Sequence, residues 1–195
     1  METAAVMSRT RILAGLAVAV ALAGCHRPQR AYTNANMDFG SIRSVAVLPF
    51  WNLSKEQQGA ERVRDVFTNG LLATNSVYVV PTGEVARAVQ RLNIATPVTP
   101  TTEDVVKLAA MLKVDAVLTG VLKEYGEVRS VSASSNVVSL SVQMQEGTSA
   151  KVVWSASSTK GGVGWGARLL GATGGQPVND VTEQVVDDLL AQLFR

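Results

Sequence analysis

The sequence predicts an α/β (α+β) fold, in which a mixed sheet built by βαβααβ crossovers is followed by an antiparallel hairpin and a C-terminal helix. Short β-branched runs alternate with stretches of helical periodicity over residues 44–125, which is typical of parallel strands joined by helices. Apolar and polar residues then alternate over 137–157, a pattern that favours a half-exposed hairpin. Residues 179–194 finally show the apolar spacing of an amphipathic helix.

The predicted parallel part begins with a buried strand over 44–50, followed by a loop over 51–54. A helix over about 57–74 comes next, because its apolar residues recur at helical spacing. The run 77–80 predicts a second strand, which Pro81 ends. Thr82 is predicted to cap the next helix, which extends to about residue 92.

The third predicted helix is capped by Thr101 or Thr102, with acidic residues near its positive end. A third strand follows over 116–122 and continues to about residue 125, and residues 126–136 are predicted to connect it to the hairpin. Asp115 is predicted to serve a turn or cap at the start of this strand. On the last helix, Asp187 and Asp188 lie outside the apolar stripe and are predicted to be solvated.

Composition excludes several functional classes. The chain has 195 residues, of which 18 are Lys or Arg and 16 are Asp or Glu. Because the numbers of basic and acidic residues are nearly equal, the composition argues against a nucleic-acid partner, which would need a basic surface. Cys25 is the only cysteine and His26 the only histidine, so the sequence predicts no disulfide framework, no metal site and no Cys/His protease.

The N-terminus reads as a secretory signal. Two arginines precede the uncharged run 12–24, which is too short to span a bilayer and has the length of a signal-peptide core. The run ends Leu22-Ala23-Gly24-Cys25, which resembles the bacterial lipobox. The resemblance implies cleavage between Gly24 and Cys25 and a covalent lipid on Cys25. Whether translation starts at Met1 or Met7 stays open.

The lipid defines the expected organisation of the chain. Residues 1–24 are a signal peptide, residues 25–40 a lipidated flexible tether, and residues 41–195 a single α/β periplasmic domain. The residue after the cysteine is not aspartate, and this resembles the default that sends lipoproteins to the outer membrane. We therefore expect a chain anchored at the outer membrane, facing the periplasm. Apart from the lipid, no cofactor is expected.

The order of elements also carries a resemblance. Val-Ala-Val-Leu-Pro-Phe at 45–50, the run 77–81 and Lys-Val-Asp-Ala-Val-Leu at 113–118 occur in the same order as in a family of uncharacterised, surface-antigen-like lipoproteins of Gram-negative bacteria. More distantly, the chain is similar to the curli-secretion lipoprotein CsgG and to the amino-terminal domain of TolB. The resemblance implies a TolB-N/CsgG-like fold, partners among envelope proteins, and self-association.

The glycine-rich segment 161–175 suggests two interpretations. Its glycines follow a strand, yet no Gly-Lys-Ser/Thr ends them and the dinucleotide spacing is absent, which argues against phosphate binding. A flexible loop is the simpler interpretation. Trp165, Leu169 and Leu170 nevertheless form an apolar group in this segment, so we name them as a candidate contact surface.

Three functions are compatible with the sequence. The leading one is a non-catalytic binding or assembly module held at the membrane by its lipid, because no histidine of the body can activate a serine and no acids pair for catalysis. The first alternative is a component of a CsgG-like secretion channel. It is disfavoured because residues 126–136 leave little room for a membrane hairpin. The second alternative is an undetected enzyme or nucleotide binder.

Overall fold

The computed structural model describes residues 31–35, 37–130, 133–162 and 175–194. Their strands are β1 Tyr32–Thr33, β2 Ser44–Val47, β3 Trp51–Asn52, β4 Tyr78–Val79, β5 Ala116–Ser130, β6 Ala133–Glu146 and β7 Val152–Gly161. Their α-helices are α1 Gly59–Ala73, α2 Thr82–Arg91, α3 Thr102–Leu112 and α4 Val178–Leu193. A short 3-10 helix spans Phe39–Ser41.

All these strands lie in one sheet, in the order β1-β7-β6-β5-β2-β4, with β3 paired to β5 beyond the end of β2. The strands β2, β3 and β4 and the part of β5 that they adjoin run parallel and form the parallel half. The strands β6, β7 and β1, with the rest of β5, run antiparallel and form the antiparallel half. The predicted mixed sheet, its βαβααβ crossovers, the hairpin and the C-terminal helix are thereby confirmed.

Helices cover both faces of the parallel half. On one face, α1 and α4 pack over β2 and β5, where Phe67 lies edge-on to Phe50 with ring centroids 5.8 Å apart. On the other face, α2 and α3 bury Val85 and Leu108 against the strands. Burial on both faces explains why these strands read as continuous apolar runs in the sequence.

Within the described ranges, helices cover only one face of the antiparallel half. On its covered face the side chains of β6 and β7 lie under α4, and they include Leu140 and Trp154. On the other face, Ser139 and Ser141 of β6 face Thr159 and Ser157 of β7, with hydroxyl oxygens 2.8 and 2.6 Å apart. This Ser/Thr face has no helix over it among the described residues, which accounts for the strict alternation of the sequence.

Two local details of the fold depend on particular residues. Thr101 is the N-cap of α3 and forms a capping box with Asp104, as one of the two predicted alternatives requires. The predicted cap at Thr82 is wrong, because Thr82 is the first residue of α2 and Pro81 holds the cap position without a side-chain hydrogen bond.

Gly120 lies under the Phe50 ring, where an added Cβ would come within 2.6 Å of a ring carbon.

The antiparallel strands are longer than the sequence predicts. Residues 126–136 are the ends of β5 and β6 themselves, paired from Gly126–Val137 out to Ser130–Ala133. The predicted 11-residue connection is therefore wrong, because most of this stretch extends the two strands, as where Val128 pairs with Ser135 and Arg129 with Ser134. Residues 51–54 are not all loop either, since Trp51 and Asn52 pair with Val121 and Leu122 of β5.

The ordered body begins before residue 41. Tyr32 and Thr33 pair with Ser155 and Trp154 of β7, so they form one edge of the sheet. Farther along, Met37 and Phe39 pack against the core. The prediction of a flexible tether through residue 40 is thus wrong for these residues, because apolar side chains and a strand edge hold them on the body.

Candidate binding groove

The sheet ends at β4, and no further strand covers that edge among the described residues. The Tyr78 N–H donates to the Arg43 carbonyl at 2.7 Å, and the Val80 N–H donates to the Val45 carbonyl at 3.0 Å. Since successive residues of a strand point their backbone groups in opposite directions, the N–H and carbonyl of Val79 point away from β2. This edge can therefore accept an added strand.

A cavity of about 760 Å³ lies beside this edge, where α1 and α4 end. Its apolar wall combines side chains from distant parts of the chain, namely Phe39, Ile42, Leu72, Val77, Leu193 and Phe194. Among the residues around it, Tyr78 is 61% exposed, Leu72 50% and Phe194 41%. Large apolar side chains that are exposed together are typical of contact surfaces.

A second cavity, of about 390 Å³, continues along the outer edge of β4. Leu72 and Val79 line both cavities, which makes them neighbouring parts of one groove. In the second cavity α1 contributes Asp65, Thr68 and Asn69. The groove, which we call the β4 groove, therefore runs between the exposed strand edge and α1.

Among the described residues, Arg43 is the only charged one that lines the larger cavity. Its backbone is held in place by Asp115, whose carboxylate accepts hydrogen bonds from the N–H groups of Arg43 and Ser44 at 2.9 and 3.0 Å, and from the Ser44 hydroxyl at 2.8 Å. These bonds, helped by the positive charge of Arg43, lower the pKa of Asp115. The Asp115 side chain, which was predicted to serve a turn or cap, thus joins the starts of β2 and β5.

A polar cluster lies between β7 and α4. The Ser158 hydroxyl donates to Asp188 at 2.6 Å, and the Lys160 ammonium lies 3.4 Å from the same carboxylate oxygen. The prediction that both acids of α4 are solvated is wrong for Asp188, although Asp187 is exposed. Because Ser158 is fully buried, no substrate can reach its hydroxyl, and the cluster serves to hold α4 against the sheet.

The residues that the sequence singled out lie elsewhere. The lipobox residues Leu22, Ala23, Gly24 and Cys25 are outside the described residues, and so are Trp165, Leu169 and Leu170. Of the segment 161–175, the structure describes Gly161, Gly162 and Gly175. The lipidation site and the predicted apolar contact surface therefore stay predictions.

Sequence reasoning did not identify the β4 groove. The apolar run of residues 77–80 was recognisable as a strand, but nothing in it distinguishes an edge strand from a central one. Arg43 and Phe194 approach this strand only through the tertiary fold. The run carries no charged residue, which leaves an edge strand open to pairing, but its position at the edge is visible only in the fold.

The described part of the chain lacks two further features. No three His, Cys, Asp or Glu side chains there are grouped so that they could hold a metal ion. None of the helices described has the length and apolar character needed to cross a membrane.

Solved structures share the fold. The PelC dodecamer from Paraburkholderia phytofirmans is similar with a TM-score of 0.55 and 17% identity, over 85% of this chain and 97% of that one. Lipoprotein GNA1162 from Neisseria meningitidis is similar with a TM-score of 0.51 and 22% identity, over 78% and 98%. The hypothetical protein CT253 from Chlamydia trachomatis has a TM-score of 0.51 and 14% identity, over 78% and 96%.

Sequence comparison gives a narrower result. No curated protein matches the chain significantly. A family model described as "Putative lipoprotein GNA1162-like" matches residues 32–192, which is nearly the whole described body. The expected lipoprotein family is thereby confirmed, whereas the more distant likeness to CsgG and to TolB stays a prediction. The chain belongs to the GNA1162-like lipoprotein family.

Proposed function

We propose that this protein is a non-catalytic binding module of the bacterial cell envelope, anchored by a lipid on Cys25 to the periplasmic face of the outer membrane. The observation that carries the binding role is the β4 groove, in which an open strand edge adjoins exposed apolar side chains and one positive charge. Membership of a lipoprotein family and the lipobox support the anchor.

The groove favours an extended segment of another envelope protein. Such a segment can pair its backbone with Val79 and place alternate side chains against Leu72 and Tyr78, as in other cases of strand addition. Arg43 adds a preference for an acidic residue or a C-terminal carboxylate in the bound segment, since its guanidinium lines the larger cavity. Affinity would come from the backbone and apolar contacts, and selectivity from the charge.

Catalysis has little support in the described body. It contains no histidine, and the serine of its serine–aspartate–lysine cluster is fully buried. Self-association remains a prediction: the PelC structure is a dodecamer, but a likeness of fold does not carry an assembly over to this chain.

The groove can be tested by photo-crosslinking in living cells. A photoreactive phenylalanine replaces Tyr78, and the matched control replaces Tyr32, which is 52% exposed on the opposite sheet edge. We expect a defined adduct with an envelope protein at position 78 alone. Arg43→Glu should remove this adduct and Arg43→Lys should retain it. Equal adducts at both positions, or an adduct that Arg43→Glu leaves unchanged, would contradict the proposal.

The anchor needs its own experiment. Cells that express the wild-type chain or Cys25→Ala are labelled with a palmitate analogue and fractionated. We expect label and outer-membrane recovery for the wild type only. A wild-type chain that takes no label, or that fractionates with the cytoplasm, would exclude the lipid anchor without affecting the groove.

A further inference from the structure

The direction of β1 relates the lipid anchor to the body. Tyr32 pairs with Ser155 and Thr33 with Trp154, so β1 runs antiparallel to β7. The N-terminal end of β1 therefore points along the sheet toward the end where β5 and β6 turn. We call this end, with Val128 and with Leu53, which lines the same cavity, the hairpin end. The β4 groove lies at the opposite end, level with the start of β5.

Chain length limits how far the anchor lies from the body. Seven residue steps separate Cys25 from Tyr32, and a fully extended chain covers at most about 24 Å in that distance. Tyr32 pairs with Ser155 of β7, Ser155 with Gln143 of β6, and Gln143 with Thr119 of β5, so Tyr32 lies level with Thr119 across the sheet. Val128 lies nine residues farther along β5. At about 3.3 Å per residue, the hairpin end extends about 30 Å beyond the level of Tyr32.

The hairpin end thus extends farther than the tether can reach in the same direction. If the chain continues from β1 toward the bilayer, the hairpin end must touch the membrane surface before the tether is fully extended. The sequence alone suggested a tether of 25–40, long enough to hold the body well away from the lipid. Placing Tyr32 on the sheet removes most of that length.

The surface at the hairpin end suits a lipid interface. Leu53 and Val128 are each 52% exposed. They line a shared cavity of about 470 Å³, together with the basic side chains of Lys55, Lys123 and Arg129 and the acidic side chains of Glu124 and Glu127. Aliphatic groups beside basic side chains are typical of surfaces that rest among phospholipid headgroups. Charged groups such as the ion pair between Arg129 and Glu127, 3.0 Å long, suit the headgroup level and not the hydrocarbon.

We infer that the hairpin end of the body docks on the membrane that holds the lipid, so that the β4 groove faces away from the bilayer. The inference rests on the proposed lipid anchor. The anchor and the hairpin end hold the body at two points, and this orients the groove toward proteins approaching from the periplasm.

The test uses the full lipidated chain in vesicles of phosphatidylethanolamine and phosphatidylglycerol. Lipidation occupies Cys25, so an introduced cysteine offers the single free thiol for an NBD fluorophore. Val128→Cys probes the hairpin end, and Thr148→Cys, in the exposed turn between β6 and β7, is the matched control at the opposite end. We expect nitroxide-labelled lipids to quench the probe at position 128 at least threefold more than the probe at position 148.

Two outcomes would overturn the inference. One is equal quenching at the two positions, or stronger quenching at 148. The other concerns a variant with ten Gly/Ser residues inserted between Cys25 and Tyr32. We expect the longer tether to reduce the quenching at 128 toward the control value, and unchanged quenching would show that tether length does not hold the contact. A chain that takes no palmitate label would instead remove the anchor itself, and this inference with it.

Discussion

The two halves of the sheet differ in how many of their faces are buried, and their sequences differ accordingly. In the parallel half, the adjacent residues Val117 and Leu118 are both fully buried, each in a different core cluster. In the antiparallel half, Leu140 is fully buried while Ser141 is half-buried on the open Ser/Thr face. Continuous and alternating apolar patterns therefore report whether helices cover one face of a strand or both.

The largest expected effect tests burial on both faces of the parallel half. Leu118→Ala should lower the free energy of unfolding by about 2–5 kcal/mol, and Val117→Ala by about 1–3 kcal/mol, because each leaves a cavity in a separate core. Urea unfolding followed by circular dichroism measures both. If either variant stayed within about 0.5 kcal/mol of wild type, the corresponding face would not be packed as described.

The next largest effect tests how the antiparallel half holds α4 against its covered face. Asp188→Ala removes the acceptor of the buried Ser158 hydroxyl and the partner of Lys160, and should destabilise the protein by about 1–3 kcal/mol. Asp187→Ala is the matched control on the same turn of α4, and should change stability by less than about 0.5 kcal/mol because that side chain is exposed. Equal effects of the two variants, measured by thermal unfolding, would contradict a specific role for Asp188.

A smaller effect tests the junction between β2 and β5. Asp115→Asn weakens bonds to the Arg43 and Ser44 N–H groups, and because the carboxylate is largely exposed we expect a loss below about 1 kcal/mol. Since folding lowers the pKa of Asp115, its contribution is complete above the ordinary carboxyl pKa of about 3.9 and is lost as the pH falls through the lowered value.

The stability difference between wild type and Asp115→Asn should therefore be constant from about pH 5 to 8 and shrink toward pH 2. Urea unfolding at pH 7 and at low pH measures it. A difference that is unchanged at low pH would mean that the ionised carboxylate is not what stabilises the junction.

The smallest effect belongs to the open Ser/Thr face. Ser141→Ala removes a hydroxyl contact with Ser157 that solvent can replace, so stability should change by less than about 0.5 kcal/mol. Leu140→Ala, one residue away on the covered face, should cost about 2–5 kcal/mol. Similar losses for the two variants would show that something covers the Ser/Thr face, and would remove the distinction between the halves.

The features of the fold that could be predicted from the sequence are those that depend on residues close together in the chain. The helix of residues 57–74 was predictable because its apolar spacing is a local pattern, and α1 lies within it. The role of Asp188 was not predictable, because its partner Ser158 lies on another element, 30 residues earlier. The ordering of Tyr32 was missed for a similar reason: a polar segment without periodicity is held by the edge of β7, far along the chain.

For the candidate site, the same distinction separates the anchor from the groove. The lipobox is contiguous, so the sequence alone identifies Cys25 as the predicted lipid attachment point. The β4 groove combines Phe39, Arg43, Leu72, Tyr78 and Phe194, which are brought together by the position of β4 at the end of the sheet. No local pattern encodes the position of a strand within a sheet, since strand order follows from the packing of all the elements.

The sequence by itself determined the fold class, the order of elements and the predicted anchor, because periodicity, turn residues and short motifs act over a few neighbouring residues. Only the tertiary structure decided which strand became the open edge, that Tyr32 and Thr33 belong to the sheet, and toward which end of the sheet the start of β1 points. These properties depend on contacts between residues far apart in the chain, such as Tyr32 with Ser155 and Ser44 with Asp115.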